Sequence, residues 1–356
     1  TISRRQRQMC IRDRSDPLLQ VENLHVDFQT YGGVVQAVRG VSFDVFAGQT
    51  LAIVGESGCG KSVTVQSLMG LIPMPPGRIH QGSARLRGQD ILASKMIAGQ
   101  DIRGSQISMI FQDPMTSLNP TMNVGSQIAE TLEVHRGYSK SEAFARAIEL
   151  LDMSKIPEAA KRAKQYPFEF SGGMLQRAMI AMAIACEPAI LVADEPTTAL
   201  DVTIQAQILD LLGDLQKETG MAIILITHDL GVVARMADEV MVMYAGEVVE
   251  KGSVDDIFYR SGHPYTQGLR QAMPTNNKST EAKQTLESID GSPPDLFNPP
   301  RGCAYHPRCP YAMQVCAQQA PPTSTLGPAH QTQCWLHHDM AGPLPDGLVS
   351  GNEAGR

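Results

Sequence analysis

One eight-residue stretch, GESGCGKS at 55–62, constrains the fold of this chain more than any other. It follows the continuous apolar run LAIVG (51–55) and precedes KSVTVQSLMGL, which has the composition of a helix. A buried strand, a glycine-rich turn and a helix in that order form a loop whose backbone amides point at phosphate oxygens. We therefore predict a nucleotide-binding P-loop. The residues expected at the nucleotide are Gly55, Ser57, Gly58, Cys59, Gly60, Lys61, Ser62 and Val63.

Two side chains of this loop carry the chemistry. Lys61 is expected to reach the β- and γ-phosphates, and the Ser62 hydroxyl to hold Mg²⁺. The alternative is a glycine-rich turn with a chance Lys-Ser pair, which the flanking strand and helix disfavour. Cys59 stands at a variable position of the loop, where a small tolerated side chain is a better interpretation than a redox role.

The stretch AILVADEP (189–196) supplies acidic groups at the end of a second buried strand. Asp194 is expected to orient Mg²⁺, as the second acidic residue of a P-loop site does. Glu195 follows at the carboxyl end of the strand, where α/β sheets bind their ligands. It is our candidate general base for an attacking water; a merely solvated carboxylate is the alternative.

Two further polar residues follow predicted core strands. His228 closes AIILITHD (222–229), where we expect a γ-phosphate contact rather than a purely structural histidine. Gln112 ends ISMIFQ (107–112). Taken alone, Gln112 would not be selected by its own sequence context.

The turn FEFSGGMLQR (168–177) can be an ordinary helix start or half of a nucleotide site. Ser171 and the backbone amides of Gly172 and Gly173, at a helix N-terminus, form an anion site. The choice between the two interpretations depends on what the remainder of the chain supplies.

The order of predicted elements fixes the fold class. Strands that alternate with helices imply an α/β domain with a mainly parallel core sheet, and the alternating pattern near residues 24–45 adds an antiparallel edge layer. From about 118 to 187 the pattern is helical. After about residue 265 the composition shifts to Pro, Gly, Gln and Asn, which we interpret as a linker and a small, irregular, cysteine-bearing domain.

Charge and hydropathy restrict the function classes. The net charge is −7 over 356 residues, which argues against a protein that coats nucleic acid. No apolar run reaches the roughly 18 residues of a membrane span. The opening segment TISRRQRQMCIRDRS (1–15) is basic and lacks apolar periodicity, so we interpret residues 1–16 as non-native or disordered.

Taken in order, GESGCGKS, Gln112, SGGMLQR, LVADEP, TTALD and THD resemble the motifs of an ATP-binding cassette (ABC) ATPase over about residues 17–262. The resemblance implies a P-loop NTPase core with a helical subdomain. It also implies that two such subunits pack head to tail, so that each ATP lies between one P-loop and the partner's signature turn. FSGGM is the counterpart of that signature, usually LSGGQ, with Met174 in place of glutamine.

The same resemblance assigns further roles. Tyr31 is similar to the aromatic residue that stacks on adenine, with Phe28 as the second candidate. Gln112 is similar to the residue that links Mg²⁺ and the attacking water to the transporter. Asp201 resembles the aspartate that acts across the dimer, and His228 the switch histidine.

HPYTQGLRQAMP (263–274), GSPPDLFNPPRGC (291–303) and HPRC (306–309) resemble the C-terminal region of oligopeptide and dipeptide importer ATPases, which nickel importers share. We expect this domain over 263–342, followed by a disordered tail over 343–356. Cys303, Cys309, Cys316 and Cys334 offer four thiols for a metal. The resemblance implies a [4Fe–4S] cluster; zinc and no metal stay open.

The expected protein is the ATP-hydrolysing subunit of a bacterial importer of short peptides, peripheral on the cytoplasmic face of the membrane. Its expected partners are two membrane permeases, a second ATPase that is more often a paralogue than an identical copy, and an extracytoplasmic solute-binding protein. Two rivals are an ABC ATPase acting on nucleic acid and a regulatory cassette without transport. The single cassette and the lack of a basic tract weigh against the first.

Overall fold

The computed structural model describes residues 16–93, 102–198, 200–273 and 289–349. The segment 1–15, which we interpreted as non-native or disordered, lies outside these ranges. The chain divides into two compact units. Within the described residues, the first unit comprises 16–19, 45–51 and 86–227, and the second comprises 20–44, 52–85 and 228–349. None of the helices within these ranges is both long enough and apolar enough to span a bilayer.

The strands are β1 (Leu19–Thr30), β2 (Gly33–Val45), β3 (Thr50–Val54), β4 (Gly77–Leu86), β5 (Gln89–Asp90), β6 (Ile107–Ile110), β7 (Ile190–Asp194), β8 (Ala222–Ile226), β9 (Glu239–Tyr244), β10 (Glu247–Ser253), β11 (Thr323–Gly327) and β12 (His330–Gln333). The α-helices are α1 (Lys61–Leu68), α2 (Pro114–Ser117), α3 (Val124–Arg136), α4 (Lys140–Met153), α5 (Ala159–Arg162), α6 (Gly172–Ile184), α7 (Val202–Thr219), α8 (Leu230–Met236), α9 (Val254–Tyr259), α10 (Pro264–Gln271) and α11 (Gln314–Gln318).

The first unit contains the parallel part of the structure. Strand β6 pairs with β7 and β7 with β8, both in parallel, and the start of β3 follows β8 in the strand order. Every residue of β7 and β8 is buried, which explains why these strands are continuous apolar runs. A buried hydrogen bond of 2.9 Å from Gln216 on α7 to the Thr50 hydroxyl ties a helix to this sheet.

The remaining helices of the first unit confirm the helical segment predicted for 118–187. Helix α4 begins with a capping box between Ser139 and Glu142, and α3 begins with Asn123 accepting from the Ser126 amide. Both helices have a buried apolar face. Its residues include Leu150 and Leu151 in α4, and Ile128 and Leu132 in α3. Helices α3, α4 and α6 pack against one another.

The second unit contains the antiparallel part. Its strands lie in the order β11-β12-β10-β9-β3, and β2-β1-β4 form another sheet. The stretch EVMVMYAGEVVEKG (239–252) forms a hairpin: β9 and β10 pair antiparallel across Ala245-Gly246, where both residues have positive φ. The α/β class with an antiparallel layer and a helical segment is therefore confirmed.

The C-terminal region is more regular than the sequence predicts. Its hairpin β11–β12 pairs internally, and β12 pairs antiparallel with β10 through Glu250↔Thr332 and Lys251↔Gln331. The short, polar strand HQTQ gives no apolar signal, because its partner strand rather than a hydrophobic face stabilises it.

Residues 343–349, which we expected in a disordered tail, belong to the described part of the chain. Leu348 is buried, and the Asp346 carbonyl accepts a hydrogen bond of 3.1 Å from the Gln267 side chain. Residues 350–356 lie outside the described part of the chain.

Candidate functional site

The P-loop lies in the second unit, between β3 and α1, as predicted. Gly55 and Gly60 have positive φ of 150° and 99°. A Cβ on Gly55 would lie 2.2 Å from the Met243 carbonyl oxygen, and one on Gly60 would lie 2.3 Å from the Ala37 carbonyl oxygen. These two glycines are therefore required by close backbone packing. Gly58 also has a positive φ, of 79°, but has open space around it.

The Lys61 side chain lies across this loop. It is 7% exposed, and its Nζ donates to the carbonyl oxygens of Gly55 at 2.8 Å and Glu56 at 2.9 Å. Lys61 is also the first residue of α1, so the loop amides, the ammonium and the helix N-terminus belong to one short segment. The Cys59 thiol is buried, and burial raises its pKa, which disfavours a reactive thiolate.

Sequence reasoning missed the contacts that hold Glu56, the second residue of the loop. Its amide donates to the Tyr265 hydroxyl at 2.9 Å. Arg308 forms two hydrogen bonds with its carboxylate, at 2.6 and 3.1 Å. HPRC (306–309) indicates a C-terminal region with a cysteine. No local sequence pattern could pair its Arg308 with a residue 252 positions earlier.

Tyr31 occupies the turn between β1 and β2 and is fully exposed. The Phe28 ring, by contrast, lies against Gly77, 3.4 Å from the position of a Cβ there. Tyr31 is therefore the better placed of the two aromatic candidates to receive a base. Phe297 packs on Gly32 and Gly33 of the same turn and is 45% exposed, so it adds a second accessible ring that the sequence did not single out.

The acidic group lies in the first unit, at the end of β7. Asp194 is the last residue of that strand and is 7% exposed. Glu195 has a φ of 47°, and its amide donates to the Ile226 carbonyl on β8 at 2.9 Å. A left-handed conformation is costly for a residue with a Cβ, and such conformations cluster at functional sites.

Gln112 and Glu195 meet in this unit, although 83 residues separate them. The Gln112 amide nitrogen donates to Glu195 Oε2 at 2.9 Å, and the Thr198 hydroxyl donates to the same oxygen at 2.9 Å. The two bonds fix the direction of the carboxylate. Thr198 was missed because its role depends on the turn that follows Glu195 rather than on a motif of its own.

His228 belongs to the second unit and is exposed, two positions beyond the end of β8. The next residue, Asp229, caps α8 by accepting from the Gly231 amide at 2.7 Å. The exposed His228 ring therefore directly precedes a helix whose first turn is fixed by the Asp229 cap. A role for His228 at a phosphate stays a prediction.

The signature turn starts helix α6. Ser171 is the N-cap of α6 and accepts from the Met174 amide at 3.4 Å, and it is exposed. A Cβ on Gly173 would lie 2.9 Å from Ile204 of α7. The turn is thus a close-packed helix start with an exposed serine, and its role as an anion site stays a prediction.

Asp201, the other residue expected to act across a dimer, caps α7 by accepting from the Ile204 amide at 3.0 Å. The neighbouring Leu200 lies 3.8 Å from the position of a Cβ on Gly172. The two predicted dimer-facing segments therefore lie side by side in the first unit.

The four C-terminal cysteines are free thiols, two buried and two half-buried. Burial raises the pKa of Cys303 and Cys309 to about 11 and that of Cys334 to about 12. The ranges described by the structure contain no group of three or more His, Cys, Asp or Glu side chains that could hold a metal ion, so the expected cluster is not confirmed.

Comparison with known families covers both parts of the chain. The ABC transporter family matches residues 38–198, and the family of oligopeptide/dipeptide transporter C-terminal regions matches residues 249–316. Among solved structures, the dimeric ATP-binding cassette MJ0796 bound to ADP and phosphate is similar with a TM-score of 0.59 and 27% identity. The match covers 66% of this chain and 98% of that one.

Two relatives from Bacillus subtilis (strain 168) are similar over nearly the whole chain. The oligopeptide transport ATP-binding protein OppD is 56% identical, over 91% of this chain and 90% of its own. The dipeptide transport ATP-binding protein DppD is 53% identical, over 92% of this chain and 96% of its own. The chain therefore belongs to the ABC transporter ATP-binding proteins, which are ABC-type ATPases, in the group that carries the oligopeptide/dipeptide transporter C-terminal region.

Proposed function

We propose that this chain hydrolyses ATP to drive import of dipeptides or oligopeptides across a bacterial cytoplasmic membrane. The observation that carries the proposal is the Gln112–Glu195–Thr198 group in a chain 53–56% identical to peptide transport ATP-binding proteins. The chain would bind peripherally to two permease subunits and receive its substrate through an extracytoplasmic solute-binding protein. Nucleic acid has no role in this proposal.

The chemistry follows from the side chains. The P-loop amides and Lys61 bind and neutralise the phosphates, and Ser62, Asp194 and Gln112 would hold Mg²⁺, which supplies further charge neutralisation at the transferred phosphoryl group. Glu195, aimed by its two hydrogen bonds, accepts a proton from the attacking water. His228 contacts the γ-phosphate, and Tyr31 stacks on adenine.

The decisive experiment reconstitutes the ATPase with two permease subunits and a solute-binding protein of a peptide importer. Peptide-loaded binding protein should stimulate ATP hydrolysis and labelled peptide should accumulate, and both effects should vanish with Lys61→Ala. Nickel import is the second candidate, because the C-terminal region is also found in nickel importers. Uptake of ⁶³Ni without peptide uptake would replace the peptide assignment.

We propose further that the ATPase works as a head-to-tail dimer, with a paralogous ATPase as partner. Ser171→Arg places a bulky cation in the signature turn and should then inactivate the partner's ATP site. Paired with a partner whose P-loop lysine is already removed, the variant should cause little additional loss. A large additional loss would place the signature turn at its own subunit's site.

The finer cofactor proposal is a [4Fe–4S] cluster on Cys303, Cys309, Cys316 and Cys334. Each sulfur accepts a backbone N–H: from Tyr305, Tyr311, Met313 and Leu336 respectively. Such donors stabilise thiolates bound to iron. A single zinc ion on the same four sulfurs, each about 2.3 Å from the metal, is the alternative.

Anaerobic purification tests this assignment by its metal content. About four iron and four sulfide per chain are expected for a cubane cluster. Cys309→Ser should lose the iron, whereas the buried Cys186→Ser should keep it. Stoichiometric zinc in oxygen-free protein would overturn the cluster while keeping a metal site.

A further inference from the structure

Glu56 is the most constrained residue of the P-loop. Its amide donates to Tyr265, its carbonyl accepts from Lys61, and its carboxylate accepts two bonds from Arg308. Tyr265 and Arg308 both belong to the C-terminal region, so the loop is held from outside the strand–loop–helix motif.

The Arg308 guanidinium is itself fixed. Its side chain is 4% exposed, compared with 27% for Glu56. Its remaining donors reach the carbonyl oxygens of Asp290 at 2.8 Å and Ile289 at 3.2 Å, and the Tyr244 hydroxyl at 3.3 Å. The guanidinium carbon also lies 5.9 Å from the Tyr244 ring centre, within cation–π range. These contacts therefore hold the Arg308 guanidinium in one orientation, in which it pairs with the Glu56 carboxylate.

A carboxylate in this loop needs compensation. A P-loop binds polyphosphate through inward-pointing amides and one lysine, and an unpaired negative charge among them repels the ligand. The bidentate contact with Arg308 removes that repulsion and holds the Glu56 side chain in one direction.

Arg308 also connects the loop to the cysteines. It immediately precedes Cys309, and Tyr305 lies between Cys303 and Cys309 in sequence. The Tyr305 ring packs 5.2 Å from that of Tyr244 and 5.3 Å from that of Tyr265. A rearrangement of residues 303–309 therefore acts directly on the groups that hold Glu56.

We propose that Arg308 is a positioning residue of the ATP site: it neutralises Glu56 and orients the P-loop, so that the fold of the cysteine-bearing region sets the affinity for ATP. The inference concerns nucleotide binding by this chain and holds whichever solute is transported and whichever metal the thiols bind.

The test measures ATP affinity of the full chain by titration with a fluorescent ATP analogue. Arg308→Gln should weaken binding about tenfold or more, since it leaves a partly buried carboxylate unpaired beside the phosphates. Removing that carboxylate in the double variant Arg308→Gln/Glu56→Gln should restore most of the loss. In ATPase assays with the partner subunits, KM for ATP should rise while kcat changes less than about twofold.

Controls separate charge compensation from a general structural effect. Arg301→Gln, at an exposed position in the same segment, should bind ATP as wild type does. Raising the ionic strength should narrow the gap between Arg308→Gln and wild type, because salt screens the repulsion. Arg308→Gln with normal affinity, or a double variant no better than the single one, overturns the proposal.

If Arg308→Gln does not fold, Arg308→Lys carries the test. Lysine keeps the charge but cannot form the bidentate contact, so affinity should fall moderately and Glu56→Gln should restore it. Unchanged affinity in Arg308→Lys, or no restoration, then contradicts the proposal.

Discussion

The P-loop and the Glu195 group are built from different kinds of atoms. The P-loop is a backbone structure: Gly55 and Gly60 are pressed against neighbouring carbonyl groups, and Lys61 is buried. The Glu195 group is made of side chains, and its donor Gln112 is exposed. The P-loop is locked by packing, whereas hydrogen bonds from Gln112 and Thr198 hold the Glu195 carboxylate.

This difference matches what each part must do. Phosphate binding requires several amides at fixed positions, and a packed backbone keeps them there without reorganisation. Activation of water requires a carboxylate that can be aimed and released during a cycle. Substitutions that add atoms should therefore impair the P-loop, whereas substitutions that remove a hydrogen bond should impair the Glu195 group.

The largest effect is expected from Glu195→Gln, which removes the base but keeps a side chain of the same shape. A general base contributes roughly 10²–10⁴ in rate, so hydrolysis should fall by about that factor while ATP still binds. Single-turnover hydrolysis and an ATP-dependent increase in particle size measure the two effects. Activity above half of wild type would assign the base to another residue.

Gly60→Ala should affect the other region with a smaller but still large effect. The new Cβ would lie 2.3 Å from the Ala37 carbonyl oxygen, so the loop would have to move. A misplacement of about 1 Å can reduce the reaction rate about 100-fold. Gly58→Ala is the matched control, because its φ is also positive but no atom lies within 4 Å. Equal loss of ATP affinity in the two variants would show that φ strain, rather than packing, controls the loop.

Thr198→Val removes one of the two bonds that aim Glu195. A single hydrogen bond to a charged group contributes about 1.5–3 kcal/mol, so we expect kcat to fall about tenfold with KM for ATP nearly unchanged. Thr198→Ser keeps the hydroxyl and should retain most of the activity. Equal losses in the valine and serine variants would indicate a packing role for the threonine methyl group.

The smallest expected effect is a pH dependence of the unfolding free energy, and it arises in the second unit, which contains the P-loop. His263 caps α10, which carries Tyr265, by accepting from the Tyr265 amide at 3.0 Å. Burial, together with the nearby His337, lowers the pKa of His263 to about 3. Because the folded pKa lies below the unfolded one, the stability that this residue contributes is full above about pH 6.5 and is lost as the pH falls towards 3.

Urea unfolding measures this loss. Between pH 6.5 and pH 4, wild type should lose about 1–3 kcal/mol more unfolding free energy than His263→Asn, which keeps a capping acceptor but does not titrate. Parallel pH curves for the two proteins would contradict the assignment.

The sequence predicted the parts of the molecule that depend on local order. The P-loop glycines, the buried strands before Asp194 and His228, and the β9–β10 hairpin each follow from a short run of residues with its own turn chemistry. Motif order also singled out Gln112, although its own context is ordinary, but it did not indicate the hydrogen bond to Glu195.

Other parts could not be predicted because they depend on distant contacts. The Arg308–Glu56 pair, the bond from Thr198 to Glu195 and the pairing of β12 with β10 each join groups whose local sequences show no sign of the partner. The spacing of the four C-terminal cysteines indicated a set of metal ligands. Spacing in the sequence does not determine whether the side chains meet in the fold.

The pairing of β12 with β10 has a consequence for solubility. An unpaired strand edge is a template for association with other chains, and β12 covers part of β10 at Glu250 and Lys251. The same hairpin places His330 2.7 Å from the fully buried Glu250 carboxylate. A chain ending near residue 262 would expose that edge and remove the His330 partner of Glu250. We therefore expect a shortened cassette to precipitate or form edge-to-edge oligomers even if every ATP motif is intact.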